Sequence, residues 1–176
     1  MLKHLALTLL ATFSLSPAVA AEAPKADVLV VVDSCCGSYA EAPLQVAMTK
    51  AIRALGYTVN AVPISQGFDS SNYNDADESD RQRVTDLTEG QGDPLVVLAM
   101  VTDTREMADV RLLFAVLSSN QADLNVIVTD KAGNVLARVE ATGNGQAAND
   151  SDAFKAAGGD AIKNALAKLS DVLPRK

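Results

Sequence analysis

The sequence predicts an α/β domain: a mixed sheet with helices packed on it, in the order β-α-β-(loop)-β-(α)-β-β-α. Three stretches lead there. "ADVLVVVD" (26–33) is a continuous β-branched run bounded by polar residues, the pattern of a strand buried on both faces. "LQVAMTKAIRALGY" follows it with apolar residues at helical spacing. "ADLNVIVTDKAGNVLARVEATG" alternates apolar and polar residues on both sides of a Lys-Ala-Gly-Asn turn, which is a β-hairpin pattern.

Taken in order, the first strand covers Ala26 to Asp33. The helix after it places Pro43 in its first turn. It lines up Leu44, Met48, Ala51, Ile52 and Leu55 on one face and stops at Gly56. "YTVNAVPI" (57–64) reads as the second strand, so the unit is a parallel crossover. A polar, largely acidic stretch follows over 65–93. Its first half is expected to be a mobile loop, and "SDRQRVTDL" suggests a short helix in its second half.

"PLVVLAMV" (94–101) is another buried strand. Over 104–117 two patterns compete. Asp103 with Glu106 resembles a capping box, and Met107, Val110, Leu113, Phe114 and Leu117 keep helical spacing, so a helix is favoured over a strand. The hairpin then spans Leu124 to Val139. "GNGQAAND" reads as a linker. An amphipathic helix closes the chain, capped near Ser151 and stopped by Pro174, with Gly158-Gly159 expected to break or kink its start.

The first residues suggest where the protein works. Lys3 and His4 precede an apolar run to Leu15, and Ala18-Val19-Ala20 is a small-x-small cleavage pattern. Residues 1–20 are therefore expected to be a secretory signal peptide, too short in its apolar part to span a bilayer. Taking 20 residues from the 176-residue chain leaves 156 (21–176), one domain with a core of its own. No cysteine follows the cut directly, so a lipid anchor is not expected. Nor is membrane insertion. The expected compartment is a bacterial periplasm.

Composition excludes several function classes. Loss of Lys3 turns the net charge of −7 into −8, which disfavours nucleic acid and anionic lipid. The only histidine, His4, leaves with the signal peptide. Ser-His-Asp and Cys-His catalysis and imidazole metal sites leave with it. There is no tryptophan, and the six aromatics that stay are too few for a stacking platform. No Cys-x-x-Cys, Gly-x-Gly-x-x-Gly or Walker pattern occurs. No catalytic residue is assigned and no cofactor is called for.

The strand–helix pair "ADVLVVVD" and "LQVAMTKAIRALGYTV", together with the hairpin "ADLNVIVTDKAGNVLARVEATG" and the closing "DAIKNALAKL", resembles the small α/β domain of bacterial envelope proteins. That group includes the N-terminal domain of TolB and the lipoprotein activators of penicillin-binding proteins. The hairpin's strand, Asp–Gly turn and "VLAR" carry the likeness, which covers most of the mature chain. This chain departs from the group in lacking a lipidation cysteine, in its Cys-Cys loop and in its acidic insert. A helix over 104–117 fits the group poorly. The resemblance implies a non-catalytic binding or assembly module with an envelope protein as partner. Homo-oligomerisation is compatible with it.

Two candidate sites come from the residues themselves. Cys35 and Cys36, with Gly37, follow the first strand at the sheet edge where α/β domains bind ligands. Four readings stay open for the pair. It can be a strained, reducible vicinal disulfide, an intermolecular staple, a Cu(I) site of two thiolates, or buried small residues closing a loop. A thiol-dependent redox or soft-metal protein is thus the alternative function. The acidic stretch offers Asp75, Asp77, Ser79 and Asp86 at calcium-loop positions. However, Asp80 stands where glycine is required, and Arg81 and Arg83 intervene, so a solvated acidic loop competes.

Overall fold

A computed structural model describes residues 26–34, 41–62, 72–112 and 115–176. Its elements are β1 (Val28–Ser34), α1 (Glu41–Arg53), β2 (Val59–Ala61), α2 (Glu78–Thr88), β3 (Leu95–Leu112), β4 (Ala115–Thr129), β5 (Val135–Ala147) and α3 (Asp150–Lys168). The five strands form one mixed sheet in the order β2-β1-β3-β4-β5. β1 pairs in parallel with both β2 and β3, while β3-β4 and β4-β5 are antiparallel. The predicted fold class is the observed one.

Period-two alternation sorts the strands' side chains between two cores. Val28, Val30 and Val32 of β1, Val97, Ala99 and Val101 of β3, and Leu124, Val126 and Val128 of β4 face α1 and α3. Leu29, Val31, Val96, Leu98 and Ile127 face the other way, onto Tyr73 and Val84 of the α2 layer. α1 buries Leu44, Met48 and Ile52, as its spacing predicts, and ends at Gly56, whose φ of +103° few side chains tolerate. The C-terminus tucks under this end. Tyr57 Oη donates to the Pro174 carbonyl at 2.9 Å, and Lys176 lies over the Tyr57 ring.

The structure corrects several expectations. Residues 104–112 and 115–117 are strand, not helix. β3 runs 18 residues and pairs with β4 along nearly its whole length, with register shifts after Val101 and after Met107. Helical spacing misled because the same apolar positions are compatible with a strand once β4 supplies a partner; Leu113 and Phe114 lie outside the described residues. β2 is shorter than 57–64. α2 forms where "SDRQRVTDL" suggested a helix, with Asp77 as its N-cap.

"GNGQAAND" is mostly strand rather than linker, since β5 continues to Ala147. Its glycines answer to α3. A Cβ on Gly143 would overlap the Ala157 carbonyl and the Ala161 amide, and one on Gly145 would overlap the Ala153 carbonyl and the Ala157 amide. Along β5 the side chains facing α3 shrink from Val139 through Ala141 to Gly143 and Gly145. α3 answers with Ala153, Ala157, Ala161 and Ala165, one per turn and all buried. The cap of α3 is Asn149, not Ser151. Gly158-Gly159 leaves the helix unbroken, because Gly158 receives Leu44 of α1 where a Cβ would collide.

Gly143→Ala and Gly145→Ala should each destabilise the fold by roughly 2–3 kcal/mol, because backbone has to move to admit the methyl group. Gly159→Ala, whose Cβ would meet nothing, should stabilise it by about 0.5–1 kcal/mol. Urea unfolding of the three variants checks both signs. Equal midpoints for Gly143→Ala and the parent would rule out the close approach.

Candidate functional site

The sheet edge beyond the C-terminal ends of β1 and the paired part of β3 holds a notch of about 570 Å³. Four separate segments meet there: Pro43 from the first turn of α1, Thr104 to Glu106 from β3, Asn120 from β4, and the first turns of α3. This is the edge where a ligand is expected in an open α/β sheet. Cys35, Cys36 and Gly37 lie outside the described residues. Their flanks are described: Ser34 pairs with Val101, and α1 begins at Glu41.

Asn120 is the buried polar group of the notch, 7% exposed, and its amide donates to the Asp150 carbonyl at 3.1 Å. It ties β4 to the start of α3. The two cations around it are paired. Arg105 Nε donates to Asp103 Oδ2 at 2.6 Å, and its Nη2 is 3.8 Å from Asp123. Thr142 donates to the other Asp123 oxygen at 2.6 Å. Lys155 contacts Asp152 at 3.0 Å, and Asp152 also accepts from the Asn149 side chain. Exposed pairs like these contribute little to stability, but they fix where the charges point.

Their electrostatics favour ionised groups. The Arg105 hydrogen bond holds Asp103 below the usual carboxylate range and raises Arg105 in turn. The Asn149 side chain and then Lys155 lower Asp152. Asp27 and Asp77 are lowered as well, each first by a backbone N–H, from Thr58 and Ser79 respectively. Burial would raise Asp130, but hydrogen bonds from Asn134 and the backbone of the turn bring it down. A carboxyl serving as general acid at neutral pH needs the opposite shift. These carboxylates are acceptors and counter-charges.

The acidic stretch holds structure together rather than gathering its carboxylates. Asp75 accepts from the Val135 backbone N–H at 3.2 Å, and Asp77 caps α2 through the Ser79 N–H at 2.8 Å. Asp86 lies about two turns along α2 from Ser79 and accepts from Gln82 at 2.7 Å. Among the described residues, no group of three or more His, Cys, Asp or Glu side chains is placed to hold a metal ion. Tyr73 anchors the stretch. Its hydroxyl donates to the Gly133 carbonyl in the β4–β5 turn, and its own carbonyl accepts from Arg138 at 2.7 Å.

Sequence reasoning missed Arg105, Asn120 and Phe154 as lining residues. Nothing local marks Arg105, because the residues from Thr102 to Glu106 are all polar and show no alternation. Asn120 and Phe154 become neighbours only through the register of β4 and the seating of α3.

No protein-family model matches the chain, and neither does any curated protein. Solved structures do. The hypothetical protein CT253 from Chlamydia trachomatis aligns with a TM-score of 0.53 at 10% identity, covering 85% of this chain and 98% of that one. PelC from Paraburkholderia phytofirmans, a dodecamer, aligns with a TM-score of 0.50 at 14% identity, covering 85% and 86%. A minor lipoprotein from Acinetobacter baumannii aligns with a TM-score of 0.45 at 10% identity, covering 83% and 94%. The chain thus shares its fold with CT253 and PelC.

The phenol of Tyr73 is pushed up to about 12, first by burial and then by the carboxylates of Asp80, Asp75 and Asp130. The folded chain therefore keeps a proton that the unfolded chain releases near pH 10. The stability this provides is complete below that pH and is lost as pH rises towards about 12. Tyr73→Phe should cost about 1 kcal/mol at neutral pH through the lost hydrogen bond. It should also remove this alkaline slope. Urea unfolding of both proteins across that pH range measures the two effects, and parallel profiles would refute the assignment.

Proposed function

We propose that this chain is an exported, non-catalytic binding or assembly module of the bacterial cell envelope. The observation that carries the reading is the arm made by the distal halves of β3 and β4. From Asp103 on, no described strand covers the side of β3 that β1 occupies earlier, and such a sheet edge is where an added strand docks. Met107 is 46% exposed and Val116 is 56% exposed on the same arm. An open edge with apolar side chains suits a protein partner or a second copy of this chain.

Other features support the reading without deciding it. The fold is shared with PelC, which is a dodecamer, so self-assembly is one form the role can take. The likeness to the TolB N-terminal domain and to penicillin-binding-protein activators belongs here too, and favours an envelope partner. The signal peptide expected over residues 1–20 supports export to the periplasm. Among the described residues, no helix is long and apolar enough to cross a membrane. The thiol-based alternative through Cys35 and Cys36 rests on the sequence alone.

Protein recovered from a periplasmic fraction should begin at Ala21. A photo-crosslinking residue placed at Met107 or Val116 should give discrete adducts in cells, with a protein partner or with the chain itself. The same residue at the exposed Glu89, beyond the end of α2, should give none. Retention of the full chain in the cytoplasm, or equal adducts from all three positions, would overturn the reading.

A further inference from the structure

α1 and α3 run in the same direction on one face of the sheet and touch where Leu44 meets Gly158. Further along they leave an open groove of about 690 Å³ between them. Ala51, Leu55, Gly159, Ile162 and Leu166 line it, and its surface is almost wholly apolar. From Ala47 to Leu55 the seam is about 12 Å long, a little over two helical turns.

Two further observations point to an occupant. The first is Gly159. Glycine inside a helix costs roughly 0.5–1 kcal/mol relative to alanine, and that cost usually reflects a close contact. Gly158 and Gly143 have such contacts, but a Cβ on Gly159 would meet nothing within 4 Å among the described residues. Its missing side chain keeps the groove floor open.

The second is charge. Lys50 on the α1 wall, Lys163 on the α3 wall and Arg175 at the far end rim the groove, and none of the described residues lining it is acidic. None of the three is in an ion pair among the described residues. This cationic rim stands on a chain of net charge −7.

We propose that the α1–α3 groove docks an acidic amphipathic helix of a partner protein, its apolar stripe in the seam and its carboxylates against the three cations. The spread of the cations favours a helix over a single-headed anionic amphiphile, whose one charge would meet one of them. A helix flanked by acids on both sides meets all three. The inference gives a surface to the binding role proposed above and rests on that reading.

The test uses the purified mature chain and a fluorescein-labelled designed helix of about 15 residues, with one leucine stripe flanked by glutamates. A twin peptide carries lysines in place of the glutamates. In fluorescence anisotropy the glutamate peptide should bind, and the lysine peptide should bind at least roughly tenfold more weakly. Gly159→Leu, which fills open space and leaves the fold intact by thermal melting, should weaken binding roughly tenfold or more. The double variant K50E/K163E should do the same.

Absence of binding by the glutamate peptide would overturn the proposal, as would equal binding by the two peptides or indifference to these substitutions. Preferential uptake of dodecanoate or anionic vesicles would overturn it in favour of a lipid. Any of these failures leaves the envelope role standing, since that role is tested separately by the mature N-terminus and by crosslinks on the arm.

Discussion

The close seating of α3 on β5 is the constraint on which the rest depends. Helix and strand approach until only glycine fits between them at positions 143 and 145. The alanines at 153, 157, 161 and 165 bring the helix backbone down onto the strand. Little apolar area is buried per residue in such a seam, but dispersion contacts are dense and backbone lies against backbone. Side-chain freedom is hardly lost, because alanine and glycine have almost none to lose. The seam therefore fixes position more than it supplies hydrophobic energy. That energy comes from the valine-rich centre of the sheet, where β1, β3 and β4 are covered on both faces.

Both clefts follow from that seating. The N-terminal turns of α3 come to rest beside Asn120 and close the notch, while its middle lies beside α1 and opens the groove. On the opposite face α2 is held by Val84 in the second core, by its Asp77 cap and by the Tyr73 anchor to the β4–β5 turn.

The parts of the fold that could be read in the sequence are those whose cause is local. A run of valines announces a buried strand because both of its faces need apolar side chains, as in β1. Leu44, Met48 and Ile52 announce α1 because one face repeats at the helical period. The arm is not local in this sense. Its residues from Thr102 to Arg111 are partly or fully exposed wherever their exposure is described, so no clean alternation marks them. The glycines of β5 misled for the opposite reason. Glycine and asparagine suggest a linker by composition, yet Gly143 and Gly145 are set by a helix that begins beyond the end of their strand. The notch was illegible for the same cause, since Pro43, Arg105, Asn120 and Phe154 are joined only by tertiary register. The three aspartates and Ser79 at calcium spacing were legible as a pattern, but the chain uses Asp75 and Asp77 to satisfy backbone donors.

These features divide the work of the molecule in space. Stability concentrates where the strands are paired on both sides and covered on both faces. The surfaces proposed for interaction lie where that pairing or covering stops among the described residues: along the exposed arm of β3 and β4, and in the seam that α1 and α3 leave open. The shifted carboxylates are driven towards permanent charge by the donors beside them. Permanent charges next to apolar surface can orient a partner and reject a wrong one.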